Sequence, residues 1–373
     1  MPNRREFLRN LAGASAGACL LGPKLVSATG GASQKSEAPG KRRTVTVGGK
    51  RVKTVDMHCH CTVPEAEQVL RGTKLESRPA AVNGAGLNFD TSVDDVRLRK
   101  MDEEGIDIQA MSINSFWYSA DRDLARRLID IQNQKLAETC KKNPDRFVAF
   151  ASVALQFPDL AAQQLEEGVK HLGLCGAAIG PSVESDEELS SPKFDPFWAK
   201  AEEMQALIFV HPQNSSVATG VRARVQGNGI LDNVIGNPLE TTIFLSHMIF
   251  EGTLDRFPNL KLCLAHGGGY LPSYADRSDH GCLVFPQRCK TALKKHPTEY
   301  LKQLYFDSIV FTPEALRHLV AVVGPSQIVL GTDYPFPWTV TPVEHLFATP
   351  GLDDAERVAI LGGTAHKLLR LAS

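Results

Sequence analysis

Short apolar runs alternate with amphipathic stretches along most of the chain. From about residue 41 onward, runs rich in β-branched or apolar residues are separated by segments whose apolar positions recur every three or four residues. Such runs are typical of buried parallel strands, and such segments are typical of helices that cover them. The eight predicted strands are Val52 to His60, Ile106 to Ile113, Phe147 to Leu155, Leu174 to Gly180, Leu207 to His211, Lys261 to His266, Leu304 to Asp307 and Ile328 to Asp333.

The clearest helical patterns between these strands cover Asp121 to Lys142, Leu160 to His171 and Glu314 to Val323. Repeated strand–helix units predict an α/β fold, and eight parallel strands are the number of a (β/α)8 TIM barrel. Two connections are long, Cys61 to Ser92 and Pro212 to Leu239. Both leave the carboxyl ends of strands, where barrel enzymes build their active sites, so we expect long βα loops that form lids or pocket walls.

Length and charge limit the classes of function. The 373 residues exceed the roughly 250 of a typical barrel by little more than a tail and some long loops, which predicts one catalytic domain over residues 41–373. Lysine and arginine total 41 against 42 acidic residues, so nothing indicates a nucleic-acid surface. We expect a small-molecule substrate. The eight cysteines are too sparse for a disulfide scaffold and show no paired zinc-binding spacing, which leaves their redox state open.

The N-terminal residues 1–40 differ from the rest of the chain. Arg4 and Arg5 precede Phe7-Leu8, a weakly apolar run from Leu11 to Leu21 and the small residues around Ser27. This order is typical of a twin-arginine signal peptide followed by a linker, and it predicts cleavage and a periplasmic or otherwise exported enzyme. The apolar run is too short to span a bilayer, so no stable membrane anchoring is expected after cleavage. An ordinary charged N-terminus on a cytoplasmic enzyme is the alternative.

Candidate metal ligands lie at strand ends. His58 and His60 end the first predicted strand, and the two-residue period of a strand places both on one face. His211, His266 and Asp333 each follow an apolar run. Because all strand ends of a parallel barrel lie on the same face, these side chains can meet at a divalent ion. The other histidines have no such context and are predicted to be structural: His171, His247, His280, His296, His318, His345 and His366.

Several segments resemble the second amidohydrolase family, in the branch that contains aminocarboxymuconate-semialdehyde, resorcylate and carboxyvanillate decarboxylases. The matching segments are Val55-Asp56-Met57-His58-Cys59-His60, Met101 to Asp107, Val210-His211-Pro212, His266-Gly267-Gly268-Gly269, Phe306-Asp307-Ser308 and Gly331 to Pro337. They cover most of the predicted barrel in the family's order. The resemblance implies a mononuclear metal-dependent lyase.

The resemblance also implies residue roles. His58, His60, His211 and Asp333 would be metal ligands, and His266 would be a catalytic group beside them. Asp333 is a second candidate for the catalytic acid. Arg277 matches an arginine that binds a substrate carboxylate, either in its own chain or across the interface of a homodimer.

Two aromatic residues after the last strand are candidates for the wall of the substrate pocket. Phe336 and Trp338 follow Asp333 closely, and either an apolar wall or ordinary loop packing would explain them.

Two further features bear on the metal and the substrate. The fourth predicted strand, Leu174 to Gly180, lacks the lysine or glutamate that bridges two metals in dinuclear relatives, which predicts one ion, zinc in preference to manganese. Asp90 stands where the semialdehyde decarboxylase has an arginine, so that substrate is not transferred. The predicted reaction is non-oxidative decarboxylation of a small aromatic or unsaturated carboxylic acid. Metal-dependent hydrolysis or hydration of a lactone, amide or activated double bond is the alternative, and a non-catalytic metal-binding protein is a third.

Overall fold

The computed structural model describes residues 42–78, 95–183, 187–213, 224–289, 293–339 and 341–371. The predicted signal and linker over residues 1–40 lie outside these ranges, as does Asp90. Parts of both long connections, residues 79–94 and 214–223, are also outside. Within the described ranges, no helix combines the length and apolar character needed to cross a membrane.

All eight predicted strands form, each somewhat shorter than its apolar run. A small antiparallel hairpin precedes them, with Gly48 and Gly49 in the left-handed conformation that its tight turn requires. In chain order the strands are β1 (Thr46–Val47), β2 (Lys50–Arg51), β3 (Val55–His60), β4 (Ile108–Ser112), β5 (Phe147–Ala149), β6 (Gly176–Ile179), β7 (Leu207–Val210), β8 (Lys261–Leu264), β9 (Tyr305–Asp307) and β10 (Ile328–Val329).

The eight strands β3 to β10 close into a parallel barrel. They pair in the orders β3-β4-β5 and β10-β9-β8-β7-β6. The first seam is closed by the Ala151 amide, which donates to the Gly176 carbonyl at 2.8 Å. At the second seam, the Met57 amide donates to Leu330 and the Asp333 amide donates to His58, each at 2.8 Å. The second seam therefore joins the strand that carries His58 to the segment that carries Asp333.

Helices surround the barrel, and the three predicted ones begin within two residues of their predicted positions, at Arg122, Pro158 and Pro313. The Asp121 carboxylate accepts the Leu124 amide at the start of the longest helix, and Thr312 caps another in the same way. The α-helices are α1 (Pro64–Glu67), α2 (Asp95–Glu104), α3 (Arg122–Lys142), α4 (Pro158–Lys170), α5 (Asp195–Glu203), α6 (Asn237–Phe250), α7 (Thr253–Arg256), α8 (Leu271–Val284), α9 (Pro297–Leu301), α10 (Pro313–Val323), α11 (Pro342–Ala348), α12 (Asp354–Val358) and α13 (Thr364–Leu368).

Side chains on the two faces of the strands enter two different cores. Phe150, Ala178 and Phe209 belong to the cluster that fills the inside of the barrel. Their strand neighbours, such as Ala177 and Ile208, belong to the larger cluster between strands and helices. This alternation fixes which residues at the strand ends face the barrel mouth, because every second residue shares a face.

Candidate metal centre

Five side chains predicted from strand ends meet at the mouth of the barrel. His58 Nε2 lies 3.0 Å from His60 Nε2, and Asp333 Oδ1 lies 3.2 Å and 2.9 Å from these two nitrogens. The His211 ring centroid is 4.4 Å from that of His60. His266 Nε2 is 3.5 Å from Asp333 Oδ2. The structure therefore brings together residues from β3 and from the ends of β7, β8 and β10.

Hydrogen bonds on the far side of two rings fix their protonation. The Asp307 carboxylate accepts His58 Nδ1–H at 2.6 Å. Ser112 Oγ donates its only proton to the Cys59 carbonyl at 3.0 Å, so toward His60 Nδ1, 3.1 Å away, it can only accept. Both histidines thus carry their proton on Nδ1. In the neutral form of each ring, Nε2 therefore presents a lone pair to the centre of the site.

Lone pairs facing one another at this distance need a cation between them. Two imidazole nitrogens and a carboxylate oxygen converge within 3.2 Å, and when both rings are neutral none of these atoms carries a proton. Nitrogen and carboxylate oxygen donors suit zinc and other divalent transition metals. Outer partners such as Asp307 are the usual means of orienting a histidine ligand. The residues present therefore fit a divalent ion.

The electrostatics of the site favour positive charge in the same place. Burial lowers the pKa of His58, but the Asp333 and Asp307 carboxylates outweigh burial and raise the pKa to about 10. A bare site would hold a proton there, and a bound cation would replace it. Burial lowers the pKa of His60 to about 4, and it lowers the pKa of His211 well below its usual value. Both are therefore in the neutral form that binds metals.

The carboxylate of Asp333 remains ionised in the site despite its burial. Burial raises the pKa of Asp333, but attraction to His58 and the close approach of the surrounding histidines hold that pKa well below its usual range. Asp333 therefore offers charged oxygen donors.

Two of the site residues have strained backbones. His266 has φ of 55° and Asp333 has φ of 63°, in the left-handed region that non-glycine residues rarely adopt. Such conformations cost roughly 1–3 kcal/mol each and cluster at active sites. The Asp307 carboxylate supports the His266 conformation by accepting the amides of His266 and Gly267 at 2.8 and 2.9 Å.

The sequence predicts four metal ligands and a separate catalytic role for His266. The geometry alone does not distinguish His266 from the four predicted ligands. Potential ligand atoms of His58, His211, His266 and Asp333 all lie within 4.8 Å of one another. His60 Nε2 is in hydrogen-bonding distance of two members of that group. His60 is almost fully buried, whereas the His266 side chain is 17% exposed. His266 therefore lies on the open side of the cluster.

A buried polar network not predicted from the sequence supports the ligand strands. Asp56 Oδ1 accepts the amides of His58 and Thr332 at 3.1 and 3.0 Å, and its Oδ2 accepts the Thr332 hydroxyl at 2.7 Å. Gln109 links Asp56 to the buried Arg97 of α2, which also donates to the His60 carbonyl at 3.2 Å. This network fastens β3, β4 and the segment after β10 together behind the metal site.

The predicted substrate-binding residues lie in different places. The Phe336 ring is 5.8 Å from the His60 ring, so it borders the metal site. The Trp338 ring is 6.0 Å from the exposed Phe311 ring. Arg277 is exposed on α8, in a surface groove that also includes Tyr274. Among the described contacts, none joins Arg277 to the five clustered residues.

The fourth barrel strand carries only small or apolar side chains. β6 consists of Gly176, Ala177, Ala178 and Ile179, all buried, and it offers no carboxylate or lysine to the cluster. Within the described part of the chain, the one cluster able to hold a metal is at the barrel mouth, and the seven histidines predicted to be structural lie outside it.

An eight-stranded parallel barrel with histidines and an aspartate at its mouth defines a metal-dependent barrel enzyme. The sequence profile described as "Amidohydrolase" matches residues 55–371, so the chain belongs to the amidohydrolase family.

Relatives of known activity identify the branch. The chain is 32% identical over 321 residues to 2-amino-3-carboxymuconate-6-semialdehyde decarboxylase of Dictyostelium discoideum, covering 85% of this chain and 84% of the relative. It is 29% identical over 288 residues to gamma-resorcylate decarboxylase of Rhizobium sp. (strain MTP-10005), covering 75% and 88%. The predicted branch and the predicted class, a decarboxylase of this superfamily, are confirmed.

A solved structure agrees with the fold. The 5-carboxyvanillate decarboxylase of Novosphingobium aromaticivorans, with bound manganese and 3-methoxy-4-hydroxy-5-nitrobenzoic acid, superimposes with a TM-score of 0.74 at 22% identity. The match covers 86% of this chain and 96% of that one. The predicted TIM barrel is confirmed.

Proposed function

We propose that this protein catalyses the metal-dependent, non-oxidative decarboxylation of a small aromatic or unsaturated carboxylic acid. The observation that carries the proposal is the convergence of the His58 and His60 lone pairs with the Asp333 carboxylate. The decarboxylase relatives support the reaction. A hydrolase or hydratase would use the same residue types, but none of the relatives described above carries such a name.

The proposed ligands are His58, His60, His211 and Asp333, which would hold one ion. A bound divalent ion would polarise the substrate's oxygens and spread the charge that remains when carbon dioxide leaves. Zinc is the proposed metal because the donor set is three histidines and one carboxylate. Manganese in the carboxyvanillate decarboxylase structure makes it the competing choice. Elemental analysis of protein purified without added metal tests both the identity and the single ion, and two ions per chain would refute the latter.

Protonation of the substrate carbon is assigned to His266, with Asp333 beside it. Loss of carbon dioxide leaves an electron pair on carbon, and a positioned acid must supply a proton to it. His266 lies on the open side of the cluster and its Nε2 is 3.5 Å from Asp333 Oδ2, so the ionised Asp333 carboxylate can orient the His266 ring and stabilise its protonated form. Phe336, against the His60 ring, would form an apolar wall, and Trp338 would extend it.

A substrate screen tests the reaction. Metal-loaded enzyme is incubated with hydroxybenzoic acids, dienoic acids and lactones, and the products are followed by carbon dioxide release and mass spectrometry. Loss of the mass of carbon dioxide is expected for at least one acid. Gain of water with no loss of carbon dioxide would refute decarboxylation and favour hydrolysis or hydration.

A homodimer is proposed from the position of Arg277. This residue is exposed on α8, away from the contacts of its own metal site, and Tyr274 on the same helix is 68% exposed. An arginine that binds a substrate carboxylate would then serve the site of a second copy. Mixing His266→Ala chains, which lose turnover, with Arg277→Ala chains, which bind carboxylates poorly, should restore part of the activity at low substrate concentration, whereas no recovery in a proven mixed dimer would refute the sharing.

Export is proposed for the intact chain, with residues 1–40 as signal and linker and residues 41–373 as the enzyme. The disulfide between Cys282 and Cys289 supports it, because disulfides persist in oxidising compartments. Changing Arg4 and Arg5 to lysine should retain the protein in the cytoplasm. Recovery of that variant from the periplasm in the same amount as the unmodified protein would refute the twin-arginine route.

A further inference from the structure

Gln213, two residues after the proposed ligand His211, presents a buried amide with an unused hydrogen-bond donor. The residue follows His211 by two positions at the end of β7 and is 8% exposed. Its Nε2 atom is buried and has no hydrogen-bond partner in the structure. A buried donor without an acceptor is costly, so native proteins rarely keep one unless another group binds there.

The Gln213 amide lies over the inner face of the barrel wall. Ala178 faces the barrel interior, and Gly180, two residues further, shares that face. A β-carbon built on Gly180 would overlap Gln213 Nε2 and would lie 3.1 Å from the Tyr118 ring. The absence of a side chain at Gly180 is therefore what makes room for the amide at the end of β6, which pairs with the segment that carries His211.

Neighbouring groups hold this segment in place without using the amide nitrogen. The buried Glu240 carboxylate of α6 accepts the backbone amide of Gln213 at 3.0 Å and the Ser182 hydroxyl at 3.3 Å. The Tyr118 hydroxyl accepts the Gly180 amide at 3.0 Å. The backbone amides of Gln213 and of the facing Gly180 are thus both hydrogen-bonded, while Gln213 Nε2 remains available.

We infer that Gln213 is a specificity-determining residue that donates a hydrogen bond to a second oxygen of the substrate. This inference rests on the proposed decarboxylation and names the substrate class: an aromatic acid with an additional ring oxygen, such as a hydroxyl, besides the groups held at the metal. An acid without that oxygen would leave the donor unpaired. Enzymes discriminate strongly against analogues that leave a buried polar group without its partner.

The test compares substrates that differ by one hydroxyl. The ratio of kcat/KM for each dihydroxybenzoic acid to that for 2-hydroxybenzoic acid is measured in the unmodified enzyme and in Gln213→Leu. At least one ratio should be high in the unmodified enzyme and should fall roughly tenfold to a hundredfold in the variant, as expected for losing one buried hydrogen bond. Gln134→Leu, an exposed glutamine of α3, is the matched control and should leave the ratio unchanged.

A second variant keeps the amide but moves it. Gly180→Ala should displace Gln213 Nε2 and lower the same ratio, with thermal unfolding and metal content measured to verify the fold. An unchanged ratio in both well-folded variants would overturn the inference while leaving decarboxylation intact.

Binding of the products provides a readout that needs no turnover. Calorimetry of dihydroxybenzenes against phenol should show a preference in the unmodified enzyme that Gln213→Leu removes. If no acid is decarboxylated, the proposed function fails. In that case, the calorimetry tests the inference separately. The inference is overturned if the unmodified enzyme binds neither compound or shows no preference for dihydroxybenzenes over phenol.

Discussion

Replacing Asp307 by asparagine is a sharp test of how the metal site is built, because one carboxylate serves four donors. Oδ2 accepts His58 Nδ1–H at 2.6 Å and the His266 amide at 2.8 Å. Oδ1 accepts the amides of Gly267 and Ile309 at 2.9 and 3.0 Å. Asparagine has one carbonyl oxygen, so one of these two pairs of donors must face its NH2 group.

Either orientation of the asparagine damages the site. If its NH2 group faces His58, the imidazole must move its proton from Nδ1 to Nε2 and loses the lone pair that points at the cation. If the amide is reversed, the turn after His266 loses its acceptor. Loss of such an outer partner typically costs ten- to a hundredfold in metal affinity, which corresponds to about 1.4–2.7 kcal/mol.

The measurement is the dissociation constant of zinc from Asp307→Asn, determined by competition with a chromophoric chelator. The cobalt-substituted protein should also show an altered visible spectrum. Asp121→Asn is the matched control, because asparagine caps the α3 helix as well as aspartate does. Wild-type zinc affinity in a folded Asp307→Asn protein would refute the assignment of Asp307 as the group that orients His58.

Three other perturbations separate the remaining roles. His266→Ala should retain its metal and lose roughly 10²- to 10⁴-fold in turnover, whereas His58→Ala should lose metal; equal metal loss by elemental analysis would make His266 a ligand. Arg277→Ala should raise KM for carboxylate substrates without changing metal content, and an unchanged KM would remove its assigned role. Burial raises the pKa of Glu240 from 4.5 to about 7. The Glu240 carboxyl group therefore binds its proton more tightly in the folded protein than in the unfolded chain. The resulting stability is complete below pH 4.5 and is lost as the pH rises through 7, by at most about 3 kcal/mol. Denaturant unfolding at pH 5 and pH 8 should show this loss relative to Glu240→Gln, and identical pH dependence in both proteins would contradict it.

The strands could be predicted from the sequence because the barrel is buried on both faces. Each strand is then a continuous apolar run, and the polar residue that ends it stands out. His211 and Asp333 were found by this signal, and the structure places both at the barrel mouth. The same signal was present at Asp307, which ends β9. It did not reveal a role, because Asp307 acts on His58, 249 residues away, and only the closed barrel brings them together.

The roles of residues that act through tertiary contacts could not be predicted from the sequence. Arg97 looks like an ordinary helix-surface arginine, yet α2 packs so that its guanidinium lies 4.8 Å from the centre of the Tyr334 ring and reaches the His60 carbonyl. Gln213 gave no signal either, because its importance depends on the missing side chain of Gly180. Arg277 is exposed in the single chain, so a role at the active site of a second copy leaves no contact within one chain to reveal it.

With the proposed ligand set, closure of the barrel at its second seam would set the timing of metal acquisition. His60 and Asp333 come from the two ends of the barrel sequence and are 273 residues apart. A ribosome that adds about 5–20 residues per second needs tens of seconds to make that interval. During this time the growing chain has the imidazoles of β3 but not the carboxylate that completes the proposed ligand set. Tight metal capture is therefore a step that follows synthesis of the last barrel strand, and the cell compartment where that strand folds determines which ion is available to the enzyme.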